Sequence, residues 1–187
     1  MIVRSYFHAL EKRIKEPRKF IQVLMGPRQV GKTTLVLQLL EKNILPSHMA
    51  SGDESSGKGV WIDQQWETAR LMAKESSGKE ILLVFDEIQK ISNWSEVIKK
   101  NWDADTRKKI PIKVVLLGSS SLLLQKGLSE SLAGRFETVF LSHWSYNEMK
   151  EAFHFSPEEF VWFGGYPGAA NLIHDPARWK NYIINSL

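Results

Sequence analysis

The chain has 187 residues, 43% hydrophobic and 25% charged, with a net charge of +4 and no cysteine. The lack of cysteine excludes a disulfide scaffold, a Cys-ligated zinc site and a thiol nucleophile. No apolar run approaches the roughly 18 residues of a membrane span, and the charged N-terminus does not resemble a signal peptide, so we expect a cytoplasmic protein. The chain length predicts one domain and a short additional segment.

The positive charge is concentrated in two segments. Residues 1–20 contain six basic and two acidic side chains, which account for the whole net charge, and residues 99–113 contain six basic and two acidic ones. We interpret both segments as solvated helix faces. A patch that contacts nucleic-acid phosphates is the alternative, although no basic stripe interleaved with aromatic residues supports it.

The first half of the chain alternates between helical and strand patterns. Tyr6, Leu10 and Ile14 recur at helical spacing, and Pro17 ends that helix. Short continuous apolar runs predict buried strands. The predicted elements are a helix over 5–16, a strand over 19–25, a turn over 26–31, a helix over 32–43, a weak strand over 47–51, an exposed loop over 51–59, a helix over 61–75 and a strand over 80–85.

The second half continues the alternation. Asn93 or Ser95 is predicted to cap a helix whose apolar face carries Trp94 and Trp102, and Ser145 to cap a later one. Buried strands that alternate with helices predict an α/β fold with a parallel sheet covered on both faces. The remaining predicted elements are a strand over 112–117, one or two short helices within 121–134, a strand over 136–141, a helix over 146–154, a turn over 164–167 and a final helix over 176–187.

Residues 26–33 match G-x-x-x-x-G-K-[ST], the phosphate-binding P-loop. The motif follows a predicted strand and opens a predicted helix, so backbone N–H groups and the helix N-terminus can surround phosphate oxygens. Lys32 is then expected to reach the β- and γ-phosphates, and Thr33 to ligate Mg²⁺. A tight turn with an incidental lysine is the alternative. The predicted nucleotide-binding residues are Gly26, Pro27, Arg28, Gln29, Val30, Gly31, Lys32, Thr33 and Thr34.

Two acids, Asp86 and Glu87, directly follow the predicted strand over 80–85, which is the strongest buried-strand signal in the chain. Ligands bind beyond the carboxyl ends of parallel strands, so we expect Asp86 to hold Mg²⁺ and Glu87 to polarise the attacking water. A strand that simply enters a charged turn is the alternative. A water-polarising glutamate favours hydrolysis over transfer of the phosphoryl group, which makes a small-molecule kinase a minor alternative.

Two further residues are predicted to act on the γ-phosphate. Ser119 or Ser120, at the end of the next strand, faces the γ-phosphate and water if that strand lies between the strands that end at Gly26 and Asp86. The alternative is an N-cap for a helix over 122–124. Arg135 precedes the last strand and is a candidate arginine finger, in its own chain or a neighbour. Its alternatives are a cation at a helix C-terminus or an ion pair with Glu137.

With these motifs, the chain resembles a large, mostly uncharacterised group of prokaryotic AAA+-type ATPases. The Gly-Ser-Ser-Ser and Leu-Ala-Gly-Arg segments are the more specific part of that resemblance. His143-Trp144 departs from the Pro-Leu that is common in the group. The matching segments are Gly26–Thr34, Phe85–Gln89 with Trp94, Gly118–Leu123, Ser131–Arg135, Glu148 and Gly164–Pro167.

The resemblance implies a three-layer P-loop NTPase fold with a parallel sheet of about five strands. The additional strand lies between the two strands that carry the nucleotide motifs. It also implies that Ser119 is the γ-phosphate sensor and that Arg135 is the arginine finger. Members of the group usually continue into a second domain. We therefore expect an ATPase core over 1–145. Residues 146–187 would begin a helical lid or second domain, cut short at Leu187.

The predicted function is Mg²⁺-dependent ATP binding and hydrolysis that drives a conformational change for an unknown protein or DNA partner. A homo-oligomer is possible, and no membrane partner is expected. The alternative is a nucleotide-dependent binding switch with little hydrolysis, suggested by the two basic segments.

Overall fold

The computed structural model describes residues 3–55, 57–119, 128 and 131–186. Its strands are β1 (Ile21–Gly26), β2 (Ser47–Ser51), β3 (Ile81–Asp86), β4 (Ile112–Ser119) and β5 (Phe136–Phe140). They form one sheet in the order β2-β3-β4-β1-β5, and all neighbouring pairs are parallel. β4 thus lies between β1 and β3, which confirms the predicted additional-strand, three-layer α/β fold.

Seven α-helices and three short 3₁₀ turns occur in the described residues. The turns are Gly52–Glu54, Ile88–Lys90 and Pro167–Leu172. The helices are α1 (Ser5–Lys15), α2 (Lys32–Glu41), α3 (Gly59–Glu75), α4 (Trp94–Lys108), α5 (Tyr146–Phe153), α6 (Pro157–Phe163) and α7 (Pro176–Ser186).

Alternate residues of the central strands point to opposite faces, and each face is buried under its own helices. On β3, Leu83 and Phe85 pack under α3 and α4, whereas Leu82 and Val84 pack under α1 and α2. β1, β3 and most of β4 are buried residue after residue. This burial on both faces explains why these strands are continuous apolar runs in the sequence.

The C-terminal segment, residues 144–186, forms a third, smaller apolar cluster around Met149, Phe155 and Ile173. Its first helix begins as predicted, because the Ser145 hydroxyl accepts from the Glu148 N–H and Glu148 accepts from the Ser145 backbone N–H. Ser156 and Glu159 repeat this capping box at α6. None of the helices in the described part of the chain has the length and apolar character that a membrane crossing requires.

Two local predictions differ from the structure. α3 begins at Gly59, two residues early, where a Cβ would lie 2.8 Å from Cγ2 of Val97, so its first turn packs tightly on α4. Asn93 occupies the N-cap position of α4 but has φ of 56° and makes no capping hydrogen bond. Asn93 therefore serves as a left-handed turn residue, a conformation that asparagine tolerates. Most of the helices predicted within 121–134 lie outside the described residues.

Much of the basic N-terminal segment makes internal contacts. The Arg18 guanidinium lies 3.5 Å from the centroid of the Trp102 ring and donates to the Ile112 carbonyl at 2.7 Å. Arg13 donates to Gln22 at 3.2 Å. The interpretation of residues 1–20 as a solvated face is therefore wrong for these arginines, whose side chains hold α1 and its following loop to the sheet.

A buried carboxylate joins α3 to α4. Asp105 is fully buried and accepts hydrogen bonds from Trp66 Nε1 at 2.6 Å and Arg70 Nε at 2.8 Å. Arg70 also pairs with Glu67, which is 62% exposed. One arginine therefore has a buried and an exposed acidic partner.

We expect Asp105→Ala to lower the free energy of unfolding by about 3–5 kcal/mol, because it leaves the Arg70 charge and the Trp66 N–H without their buried acceptor. Glu67→Ala is the matched control, with an expected loss under about 1 kcal/mol since the pair is exposed. Urea denaturation measures both values. Equal losses of unfolding free energy in the two variants would contradict the larger contribution expected of the buried acceptor Asp105.

Candidate functional site

The P-loop connects the end of β1 to the start of α2. Gly31 is the residue before the helix and has φ of 88°, while Gln29 has φ of 61°. Both values lie in the left-handed region, which glycine adopts at little cost. The loop begins against the residue that follows β5, because a Cβ on Gly26 would lie 2.1 Å from the Leu141 carbonyl oxygen. Only glycine fits that first position without moving the backbone.

Lys32 is the first residue of α2 and is 7% exposed. Its Nζ donates to the carbonyl oxygens of Gly26 at 3.0 Å and Pro27 at 2.7 Å. Burial lowers the pKa of Lys32, and the nearby charges of Glu87 and Asp86 act in the opposite direction. The ammonium group is therefore held against the P-loop by its own backbone.

Thr33 and Asp86 are joined directly, although Thr33 lies in the first turn of α2 and Asp86 ends β3. The Thr33 hydroxyl donates to Asp86 Oδ2 at 2.7 Å, and Asp86 is 7% exposed. Asp86 Oδ1 accepts from the Glu87 backbone N–H at 2.9 Å. A hydroxyl and a carboxylate oxygen brought together in this way are suitable Mg²⁺ ligands.

The metal would need other ligands besides these two. No group of three or more acidic or histidine side chains able to hold a metal occurs in residues 3–55, 57–119 and 131–186. Mg²⁺ is commonly bound by one or two protein oxygens together with waters and substrate phosphates. The donor set of Thr33 and Asp86 fits that mode.

Glu87 follows directly, with φ of 47°. The backbone at this point is closely surrounded, because a Cβ on Gly52 would lie 2.6 Å from the Glu87 carbonyl oxygen. The Gln89 side-chain amide donates to Glu87 Oε2, whereas Gln89 Oε1 is buried and accepts no hydrogen bond from the described residues. A glutamate in the left-handed region is uncommon, and strained backbone of this kind clusters at functional sites.

Ser119 ends β4, and its Cα is paired in register with Gly26 of β1. It lies at the same sheet edge as Asp86, which ends the next strand. The structure thus brings Ser119 to the predicted place beside the P-loop. Ser120, the other serine considered, lies outside the described residues.

Lys32, Thr33, Glu87 and Ser119 line one cleft of about 1530 Å³. The C-terminal segment forms the other wall, and the Tyr182 hydroxyl of α7 donates to Gln29 Oε1 across it. Sequence motifs did not indicate these wall residues, because their contacts join positions far apart in the chain. The lining includes Arg28, Gln29, Gly31, Lys32, Thr33, Thr34, Glu87, Gln89 and Ser119 on one side and Trp144, Phe153, Pro167, Gly168 and Tyr182 on the other, with Arg4 between them.

Arg135 lies at the opposite edge of the sheet. It directly precedes β5, and Phe136 is aligned with Ile21 at the start of β1, so about 16 Å of strand separates it from the P-loop. Its guanidinium pairs with Asp103 at 2.8 and 3.0 Å. The hydrogen bond between them lowers the pKa of Asp103 and raises that of Arg135. The fold does not bring Arg135 to the cleft of its own chain, and its partner is Asp103 rather than Glu137.

Two proteins of similar sequence are described as uncharacterized. The uncharacterized protein MJ1544 of Methanocaldococcus jannaschii is 25% identical over 79% of this chain and 35% of its own length. The uncharacterized protein Rv2008c of Mycobacterium tuberculosis is 31% identical over 89% of this chain and 34% of its own length. The chain thus spans about a third of the length of these curated relatives.

The fold is also found among solved structures. The RuvB Holliday junction branch migration motor of Thermotoga maritima superposes with a TM-score of 0.57 at 17% identity, over 96% of this chain and 61% of RuvB. The family described as AAA domain (AAA_14) matches residues 18–150. This segment contains the P-loop, Asp86, Glu87 and Ser119, and the chain therefore belongs to this family of AAA+-type P-loop ATPases.

Proposed function

We propose that the protein binds ATP with Mg²⁺ and hydrolyses it, and that hydrolysis drives a conformational change for a partner. The observation that carries this proposal is the 2.7 Å contact between the Thr33 hydroxyl and Asp86 Oδ2 beside the P-loop. It joins the phosphate-binding segment to the acidic strand end, as phosphoryl-transfer chemistry requires. Bound Mg²⁺ would neutralise charge on the phosphate oxygens.

The P-loop, Lys32, Glu87 and Ser119 have separate roles in this proposal. The P-loop N–H groups and Lys32 bind the phosphates, and binding of a nucleotide would replace the carbonyl contacts that Lys32 makes with Gly26 and Pro27. Glu87 accepts a proton from the attacking water, and Ser119 hydrogen-bonds the γ-phosphate or that water. Glu87 directly follows the proposed metal ligand Asp86, where it can polarise a water. This position favours water, rather than a second substrate, as the acceptor of the phosphoryl group.

The aromatic wall of the cleft is suited to the nucleoside. Trp144, Phe153 and Tyr182 line the cleft on the side of the C-terminal segment. Flat apolar rings can pack against a base while the P-loop holds the phosphates. In this proposal residues 146–186 form a lid over the nucleotide.

The first test separates binding from turnover. Lys32→Ala should abolish ATP binding because it removes the phosphate-binding ammonium group, whereas Glu87→Gln should keep binding and lose about 10²–10⁴ in turnover. Isothermal titration measures the first effect and phosphate release the second.

The exposed residues Lys12 and Glu96 provide matched controls, since both lie outside the cleft. Lys12→Ala and Glu96→Gln should bind and hydrolyse ATP as the wild type does. Turnover by Glu87→Gln at the wild-type rate would contradict the role of Glu87. ATP binding by Lys32→Ala at wild-type affinity would contradict the phosphate site.

The second test concerns Arg135, which can reach a phosphate only in another copy of the chain. Arg135→Ala should keep ATP binding and lose about 10³-fold in turnover, the lower end of the range for an arginine finger. Mixing it with Glu87→Gln should restore activity, because the second variant supplies Arg135 to a site that retains Glu87. Asp103→Asn is the control that removes only the partner of Arg135 in its own chain.

Failure of the mixture to regain activity would contradict a finger that acts between chains. Loss of turnover in Asp103→Asn equal to that in Arg135→Ala would instead assign both residues to a structural pair.

A further inference from the structure

Arg4 is a buried arginine that the sequence places among the basic residues of the N-terminus. Its side chain is 5% exposed and lies just before α1. The guanidinium carbon lies 4.9 Å from the centroid of the Tyr6 ring and 5.3 Å from that of Trp144. A buried guanidinium is costly unless its donors are satisfied, so its contacts indicate what it holds.

The guanidinium joins three segments of the chain. Nη1 donates to the Val30 carbonyl at 3.1 Å and to the Ser142 carbonyl at 3.2 Å, and Nη2 donates to the His143 carbonyl at 3.5 Å. Nε and Nη2 donate to the two carboxylate oxygens of Glu148 at 2.7 and 3.3 Å. Burial raises the pKa of Glu148, but hydrogen bonds from Arg4 and Ser145 outweigh it, and the net shift is downward. Arg4 therefore links the P-loop to the start of α5.

The contact with Val30 is the one that concerns nucleotide binding. The same carbonyl also accepts from Trp144 Nε1 at 3.1 Å, so two donors occupy the two lone pairs of this oxygen. Val30 lies between Gln29 and Gly31, which both have left-handed backbone angles. Without such anchors, a peptide in this position could rotate.

A planar trans peptide directs its C=O and N–H in opposite directions. Because Arg4 and Trp144 hold the Val30 carbonyl on their side, the N–H of Gly31 is aimed at the other side, and Gly31 itself lines the cleft. We propose that Arg4 is a positioning residue of the P-loop: through the Val30 carbonyl it fixes the Gly31 N–H toward the phosphates. This inference rests on the proposed nucleotide site and adds a residue to it.

The inference predicts an effect on nucleotide affinity without an effect on the chemical step. Arg4→Ala should raise the Kd of MgADP and the KM for ATP by at least about tenfold, the equivalent of one charge-assisted hydrogen bond. The kcat at saturating ATP should stay within about twofold, since Arg4 contacts neither Glu87 nor Ser119. Arg4→Lys should lie in between, because one ammonium group cannot replace the forked donors of a guanidinium.

Two other variants separate positioning from stability. Trp144→Phe removes the second donor to Val30 but keeps an aromatic ring, and should raise the Kd of MgADP in the same direction. The double variant Arg4→Ala/Trp144→Phe should raise the Kd of MgADP by less than the product of the two single fold-changes, because both donors act on one carbonyl. Arg13→Ala is the matched control: this arginine of α1 also makes internal hydrogen bonds, to Gln22 and the Thr138 carbonyl, yet does not contact the P-loop.

Isothermal titration with MgADP on the folded proteins, together with steady-state ATPase rates, gives these values. If Arg4→Ala does not fold, Arg4→Lys and Trp144→Phe carry the same test. Folded variants that bind MgADP within about twofold of the wild type would overturn the role of Arg4 and leave the proposed function intact. A wild-type protein that binds no MgADP would contradict the proposed function itself, and this inference with it.

Discussion

The hydrogen bond from Thr33 to Asp86 is the interaction on which the site depends. Thr33 lies in the first turn of α2, which follows β1 through the P-loop, and Asp86 ends β3. β4 separates β1 from β3 in the sheet. The contact of Thr33 with Asp86 therefore requires the whole central part of the sheet to be in the correct register. The apolar cores on both faces of the sheet fix that register, so a change in core packing would move the predicted metal ligands apart.

The two edges of the sheet have different chemistry. Asp86 and Ser119 lie at the carboxyl edge, where the P-loop and the C-terminal segment enclose one cleft. Arg135 and its partner Asp103 lie toward the opposite edge. This separation agrees with the proposal that Arg135 contacts a phosphate bound to a second copy of the chain. It also explains why the proposed phosphate site of a single chain lacks the predicted arginine finger.

The C-terminal segment is attached to the nucleotide site by specific polar contacts. Tyr182 contacts Gln29, and Trp144 and Arg4 both contact the carbonyl of Val30. These contacts all involve the P-loop, whose backbone would contact phosphates in the proposed function. A change at the phosphates therefore has a direct structural route to residues 144–186, and any further part of the protein attached to them would receive it.

The sequence pattern predicted those features that depend on residues close together in the chain. The P-loop was identified from the spacing of Gly26, Gly31 and Lys32, and the central strands from their unbroken apolar runs. The place of β4 between β1 and β3 came from a family resemblance, because hydrophobic periodicity does not specify strand order.

Long-range partners could not be predicted in the same way. Arg4 looked like a surface charge because its acceptors Val30 and Glu148 are 26 and 144 residues away. The pairing of Arg135 with Asp103 was missed for the same reason, since Glu137 was nearer in sequence. Asn93 has the residue type of a helix cap, but its left-handed backbone makes it a turn residue instead.

In the proposed function, Thr33 and Asp86 hold Mg²⁺ beside a nucleotide. The most direct measurement is the affinity of the wild-type protein and of Thr33→Val for ATP, each with Mg²⁺ and with EDTA. We expect Mg²⁺ to strengthen ATP binding to the wild type by at least about tenfold and to Thr33→Val by less than about twofold. An equal affinity of the wild type for ATP with and without Mg²⁺ would contradict it.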